Sequence, residues 1–160
     1  MADLVTLPGF AFHEVATGLW VGPCPNSPER IRAVRAAGIT SLVSVQTDWD
    51  LTAMGMDWQL LWRFLMAQGI SAQRLPIEDF DERALAKGLS QAVEAVRASH
   101  AAGRGTYVHC TAGVNRSPTV AIGYLVATGL DLDTAWEQVT SRHPCAPNRG
   151  ALERWLEARR

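Results

Sequence analysis

The sequence predicts an α/β fold: a largely parallel central sheet flanked by helices on both faces. Two observations carry that prediction. Short β-branched runs, Ile39–Val45 and Thr106–Cys110, have the length and composition of buried strands. Between such runs lie segments with helical spacing of apolar residues, each closed by a glycine. At 160 residues the chain has room for one domain, and we assign 1–160 to it.

The elements follow in order. Phe10–Val15 and Leu19–Gly22 read as short strands. Ser27-Pro28-Glu29 is a helix start: serine as cap, proline at the first position, an acid in the first turn. That helix, Pro28–Ala37, stops at Gly38, and the strand Ile39–Val45 follows. Gln46–Asp50 reads as a polar loop. From Met56 to Ala67 a helix places Trp58, Leu61, Trp62 and Leu65 on one face, as a core stripe. Ala72–Ile77 is a strand, and Glu78–Glu82 an acidic loop. Arg83–Ala102 is a long amphipathic helix, Thr106–Cys110 a strand, and Thr111–Arg116 a tight loop. Ser117–Thr128, Asp131–Arg142 and Arg149–Arg159 are the remaining helices.

Composition narrows the function. Hydrophobic content of 48% and charged content of 19% fit a globular chain. A net charge of −1 gives no basic field for nucleic acid and no polybasic membrane anchor. Three widely spaced cysteines, Cys24, Cys110 and Cys145, with no CxxC pair, argue against both a disulfide framework and a zinc site. Met1–Val15 has the acids Asp3 and Glu14 and no basic start, so it does not read as a signal peptide. A reducing, cytoplasmic setting is the expectation, with no metal and no cofactor.

The chemistry concentrates in His109-Cys110-Thr111-Ala112-Gly113-Val114-Asn115-Arg116-Ser117. A strand delivers Cys110 to its C-terminal end, a short turn follows, and Arg116 and Ser117 open a helix. Backbone N–H groups of Thr111, Ala112, Gly113, Val114 and Asn115 can form an anion cradle, and the helix N-terminus adds further donors. Gly113 permits a backbone that a side chain forbids. Arg116 can grip two phosphate oxygens through its planar fork. Such surroundings favour a thiolate over a thiol, which makes Cys110 the candidate nucleophile. Ser117 can donate to its sulfur and improve it as a leaving group. His109 reads as support for the loop, His13, His100 and His143 as surface or packing residues, and Cys24 as structural.

HCTAGVNRS matches the HCxxGxxR[ST] loop of protein tyrosine phosphatases, and the chain's length resembles the dual-specificity branch. Leu19–Gly22, Ser27–Glu29, Val45–Asp50 and Leu75–Asp81 are similar to the same regions of laforin and the plant starch-excess glucan phosphatases, a likeness over about residues 15–158. The resemblance implies a tyrosine-phosphatase-like fold and a phosphocysteine mechanism. Within the acidic loop it places the general acid at Asp79, with Asp81 as fallback; Asp81 and Glu82 also suit the cap of the next helix. It implies substrate contacts at Phe80, with Trp49 as a second stacking face.

The substrate, phosphoprotein or phosphoglucan, stays open at this stage. The variable loop positions Thr111, Ala112, Val114 and Asn115 carry no lysine, which weakens a reading on inositol phosphates. Ala53-Met54 and Ala146 stand where plant relatives have aromatics, and Asn115 replaces a small residue. The alternatives are a phospholigand-binding module without turnover and a redox or arsenate-handling enzyme. In the last of these Cys145 is a candidate resolving thiol.

Overall fold

The computed structural model describes residues 7–160; the sequence expectation for Met1–Val15 therefore lies partly outside the described residues. The elements are β1 (His13–Ala16), β2 (Leu19–Gly22), α1 (Pro28–Ala36), β3 (Ile39–Ser44), α2 (Asp48–Ala53), α3 (Trp58–Ala67), β4 (Ser71–Arg74), α4 (Glu82–Ala101), β5 (Gly105–His109), α5 (Arg116–Ala127), α6 (Leu132–Arg142) and α7 (Arg149–Ala158). The sheet has five strands in the order β1-β2-β5-β3-β4. Only β1 is antiparallel to its neighbour; β2, β5, β3 and β4 all run the same way. Their C-terminal ends share one edge, where ligands collect in such sheets.

Two apolar layers sandwich the sheet. On one face Ile31 and Val34 of α1, Leu51 of α2, and Leu61 and Leu65 of α3 pack on Ile39 and Leu42. On the other, α4 presents Leu85, Leu89, Val93 and Val96 at helical spacing to α5 and Trp155 of α7. Residues 116–125 of α5 are buried without exception, so this helix runs through the core, with its N-terminus at the strand ends.

Several expectations need correction. The first strand begins at His13, because Phe10 turns back on Leu7 in an isolated bridge and joins the aromatic cluster of Phe12 and Trp20. The strand expected over Ala72–Ile77 ends at Arg74; Pro76 has no N–H for a ladder, although Leu75 and Ile77 still donate to Ser44 and Val45. Gln46–Asp50 is not all loop: Thr47 caps α2, its hydroxyl accepting from the Asp50 N–H while Asp50 accepts from the Thr47 N–H. On α3, Trp62 leaves the core stripe, while Trp58 keeps to its margin, packed against the core. Trp62 is exposed and donates to the Ala72 carbonyl, and Trp58 is only half-buried, under the Arg74 guanidinium.

Candidate active site

The loop after β5 is held open by its surroundings. Five of its carbonyls accept hydrogen bonds from the surrounding structure. His109 Nδ1 donates to the Cys110 carbonyl at 2.9 Å, and the Cys24 N–H to Thr111 at 3.1 Å. His143 Nε2 donates to Gly113 at 2.7 Å, and the Ala146 N–H to Val114 at 2.8 Å. Thr119 donates to Asn115 through both its N–H and its hydroxyl. In a planar trans peptide the N–H of the next residue points the opposite way. The N–H groups of Thr111, Ala112, Val114, Asn115 and Arg116 are thereby turned to the inner side of the loop, the arrangement of an anion nest. Gly113 has φ +72°, and a Cβ there would meet the Gly22 carbonyl carbon at 2.5 Å, so the turn needs glycine.

Cys110 is buried, with its sulfur 3.3 Å from the Ser117 hydroxyl. Arg116 is also buried, and its two edges differ. Nη1 is committed to the scaffold, at 2.7 Å from Asp50 Oδ2 and 2.8 Å from the Ile77 carbonyl. The other edge is less committed: Nε makes no hydrogen bond, only an ion pair with Asp79 at 3.4 Å, and Nη2 reaches only Thr111 Oγ1 at 3.5 Å. An Nε/Nη2 edge is the fork that takes two oxygens of one phosphate.

Asp79 sits beside that edge, with Oδ1 3.4 Å from Arg116 Nε and 3.3 Å from Asn115 Nδ2. Asp81, the fallback acid, caps α4 instead by accepting from the Ala84 N–H, and Glu82 pairs with Arg154. Phe80, next to Asp79, is 94% exposed and holds φ 57°, a left-handed backbone uncommon for a side chain of its size. Trp49, next to Asp50, is 74% exposed. Each exposed ring thus adjoins, along the chain, a carboxylate that faces Arg116.

Sequence reasoning missed Asp50 and His143. Asp50, which reads from sequence as the end of a polar loop, anchors Arg116. Burial pushes its carboxyl up, but the bonds from Arg116 and Thr47 outweigh that and hold it below the usual range. The Thr47-x-x-Asp50 spacing was the available signal. His143, expected at the surface or in packing, is buried against the Gly113 carbonyl. Burial holds it below the ordinary histidine range, and burial takes His109 down to about 4, so both rings are neutral at pH 7. Burial, then the nearby Cys110 sulfur, push the Cys24 thiol up to about 12. Cys145 donates to the His143 carbonyl. Among the described residues no three His, Cys, Asp or Glu side chains gather as a metal site would require.

Residues 20–160 match the family model of the dual specificity phosphatase catalytic domain. The chain belongs to the dual specificity phosphatase family. Among curated relatives it is 30% identical to the amyloplastic phosphoglucan phosphatase DSP4 of Castanea sativa over 148 residues, 91% of this chain and 40% of that protein. It is 27% identical to laforin of Mus musculus over 125 residues, 71% of this chain and 38% of laforin. The chain therefore spans about two-fifths of the length of these two relatives. Among solved structures, PTPMT1 superposes with a TM-score of 0.75 at 20% identity, covering 92% of both chains. A putative mouse dual specificity phosphatase gives 0.71 at 25% identity, covering 98% of this chain and 90% of its own. These likenesses agree with the α/β fold and the family expected from the sequence.

Proposed function

We propose that the chain is a cysteine-dependent phosphomonoesterase working through a phosphocysteine on Cys110. The observation that carries this reading is the Nε/Nη2 edge of buried Arg116, whose Nε makes no hydrogen bond, beside a loop whose N–H groups are turned inward and whose base holds a sulfur. In the first half-reaction Cys110 Sγ attacks phosphorus and the P–O ester bond breaks. Asp79 gives its proton to the departing oxygen. In the second half-reaction water attacks phosphorus, Asp79 takes its proton, and the P–S bond breaks. The thiolate that leaves accepts a hydrogen bond from Ser117.

The test is hydrolysis of p-nitrophenyl phosphate without added metal. Vanadate should inhibit, Cys110→Ser should abolish turnover, and Asp79→Asn should slow it by roughly 10²–10⁴. A Cys110→Ser protein with the wild-type rate would refute the reading.

For the substrate we favour phosphoglucan. Support comes from two exposed rings flanking the Arg116 carboxylates, suited to stacking on sugar faces, and from relatives named as phosphoglucan phosphatases. Phosphoprotein is the second reading, supported by relatives named as dual specificity protein phosphatases. A panel of phosphorylated amylopectin, phosphotyrosine and phosphothreonine peptides and phosphoinositides, compared by kcat/KM, decides between them. A glucan value no higher than the peptide values removes the first choice.

A further inference from the structure

His143 and His13 form a pair that ends on the catalytic loop. His143 Nε2 lies 2.7 Å from the Gly113 carbonyl oxygen, and its Nδ1 lies 2.8 Å from His13 Nδ1. His143 follows α6 directly and is buried; His13 is half-buried on β1. Both rings line a cavity of about 770 Å³ that also touches Thr111 and Ala112.

The bonds fix the protons. A carbonyl oxygen only accepts, so His143 Nε2 carries hydrogen. In neutral His143, Nδ1 is then bare, and the short contact requires His13 Nδ1 to donate. The order is His13 to His143 to Gly113. The far side of the Gly113–Val114 peptide is the Val114 N–H, turned to the inner side of the loop. We propose that His143, oriented by His13, is a positioning residue that aims the Val114 N–H at the substrate phosphate and makes the strength of the cradle depend on a proton held by the pair. This rests on the phosphatase reading above.

The pair holds one added proton but not two. With one, His13 carries hydrogen on both nitrogens and still donates from Nδ1, and a cationic donor strengthens every bond down the line. With two, N–H groups would meet head-on across 2.8 Å. The surroundings supply no competing acid. Glu14, next to His13, accepts from the Gly18 N–H; Arg142 donates to Val15; Cys145 donates to His143; Cys24 and Arg30 stand across the cavity. Among the described residues that line the cavity, none is acidic.

Three variants test this. His143→Gln keeps a donor at the Nε2 position, His143→Ala removes it, and His13→Asn keeps a donor at the Nδ1 position but cannot titrate. We expect His143→Ala to lower kcat/KM for p-nitrophenyl phosphate by about 10-fold to 10²-fold, chiefly through KM, and His143→Gln to recover it to within a few-fold. In wild type KM should fall as pH drops from 8 towards 5; in His13→Asn that dependence should flatten. Equal rates for the Ala and Gln variants, or a wild-type KM profile in His13→Asn, would overturn the proposal. Vanadate binding by calorimetry, on folded Cys110→Ser backgrounds, reads the same cradle without turnover. A weaker Kd for His143→Ala there supports the positioning role even if no substrate were hydrolysed; an unchanged Kd refutes it.

Discussion

Asp50→Ala is the sharpest perturbation of the arginine anchor. The lost contact is 2.7 Å long and joins an arginine and an aspartate that are both almost wholly buried. Removing one partner of a buried pair ordinarily costs about 3–5 kcal/mol, because a charge is left uncompensated. Here Nη1 retains the Ile77 carbonyl at 2.8 Å, which lowers that cost. Half of the α2 capping box is lost as well, about 0.5–1 kcal/mol. We expect a net loss of about 3 kcal/mol, which for a chain of this size lowers Tm by roughly 6–12 °C. Activity should fall further than stability implies. A guanidinium displaced by about 1 Å loses the fork geometry, worth around 10² in kcat/KM. Asp50→Asn keeps an acceptor oxygen for Arg116 and should lose about 1–1.5 kcal/mol. The assays are thermal melting and p-nitrophenyl phosphate kinetics at a temperature where every variant is folded. An Asp50→Ala protein with kcat/KM within twofold of wild type would show that Arg116 does not need its anchor.

Two further perturbations act on different parts of the site. His109 is buried and held at about 4, against about 6.5 in an unfolded chain. The unfolded state therefore takes its proton first, so stability is full above about pH 6.5 and falls as pH drops towards 4. The loss is at most about 3 kcal/mol; denaturant melts of wild type and His109→Asn should show a shallower slope in the variant, and identical slopes would assign the acid sensitivity elsewhere. Phe80 pays for its left-handed backbone without burying its ring. Phe80→Gly should therefore raise stability by up to about 1 kcal/mol while raising KM for phosphoglucan several-fold; an unchanged KM would remove the ring from the substrate path.

The sheet and the helices were legible because local signals agreed with the tertiary outcome. Ser27-Pro28-Glu29 starts α1 and Gly38 ends it as the cap rules require. The loop from Cys110 to Arg116 was legible because its residues are contiguous in sequence. What the sequence hid lies between segments. Asp50 meets Arg116 across 66 positions and His143 meets Gly113 across 30, and neither pairing leaves a local pattern. Trp62 misled because helical spacing identifies a face, while burial depends on what covers that face; Trp62 lies beside the edge strand β4 and stays partly exposed. Residue spacing alone does not separate Asp79 from Asp81; their partners differ, Arg116 and Asn115 for one and the Ala84 N–H for the other.

Rapid acid quenching during p-nitrophenyl phosphate turnover, followed by peptide mass spectrometry, tests the phosphocysteine route most directly. Turnover through Cys110 predicts one phosphoryl group on the peptide that carries this cysteine, absent from Cys110→Ser. Steady phosphate release with that peptide unmodified at every quench time, under conditions that preserve a thiophosphate standard, would contradict it.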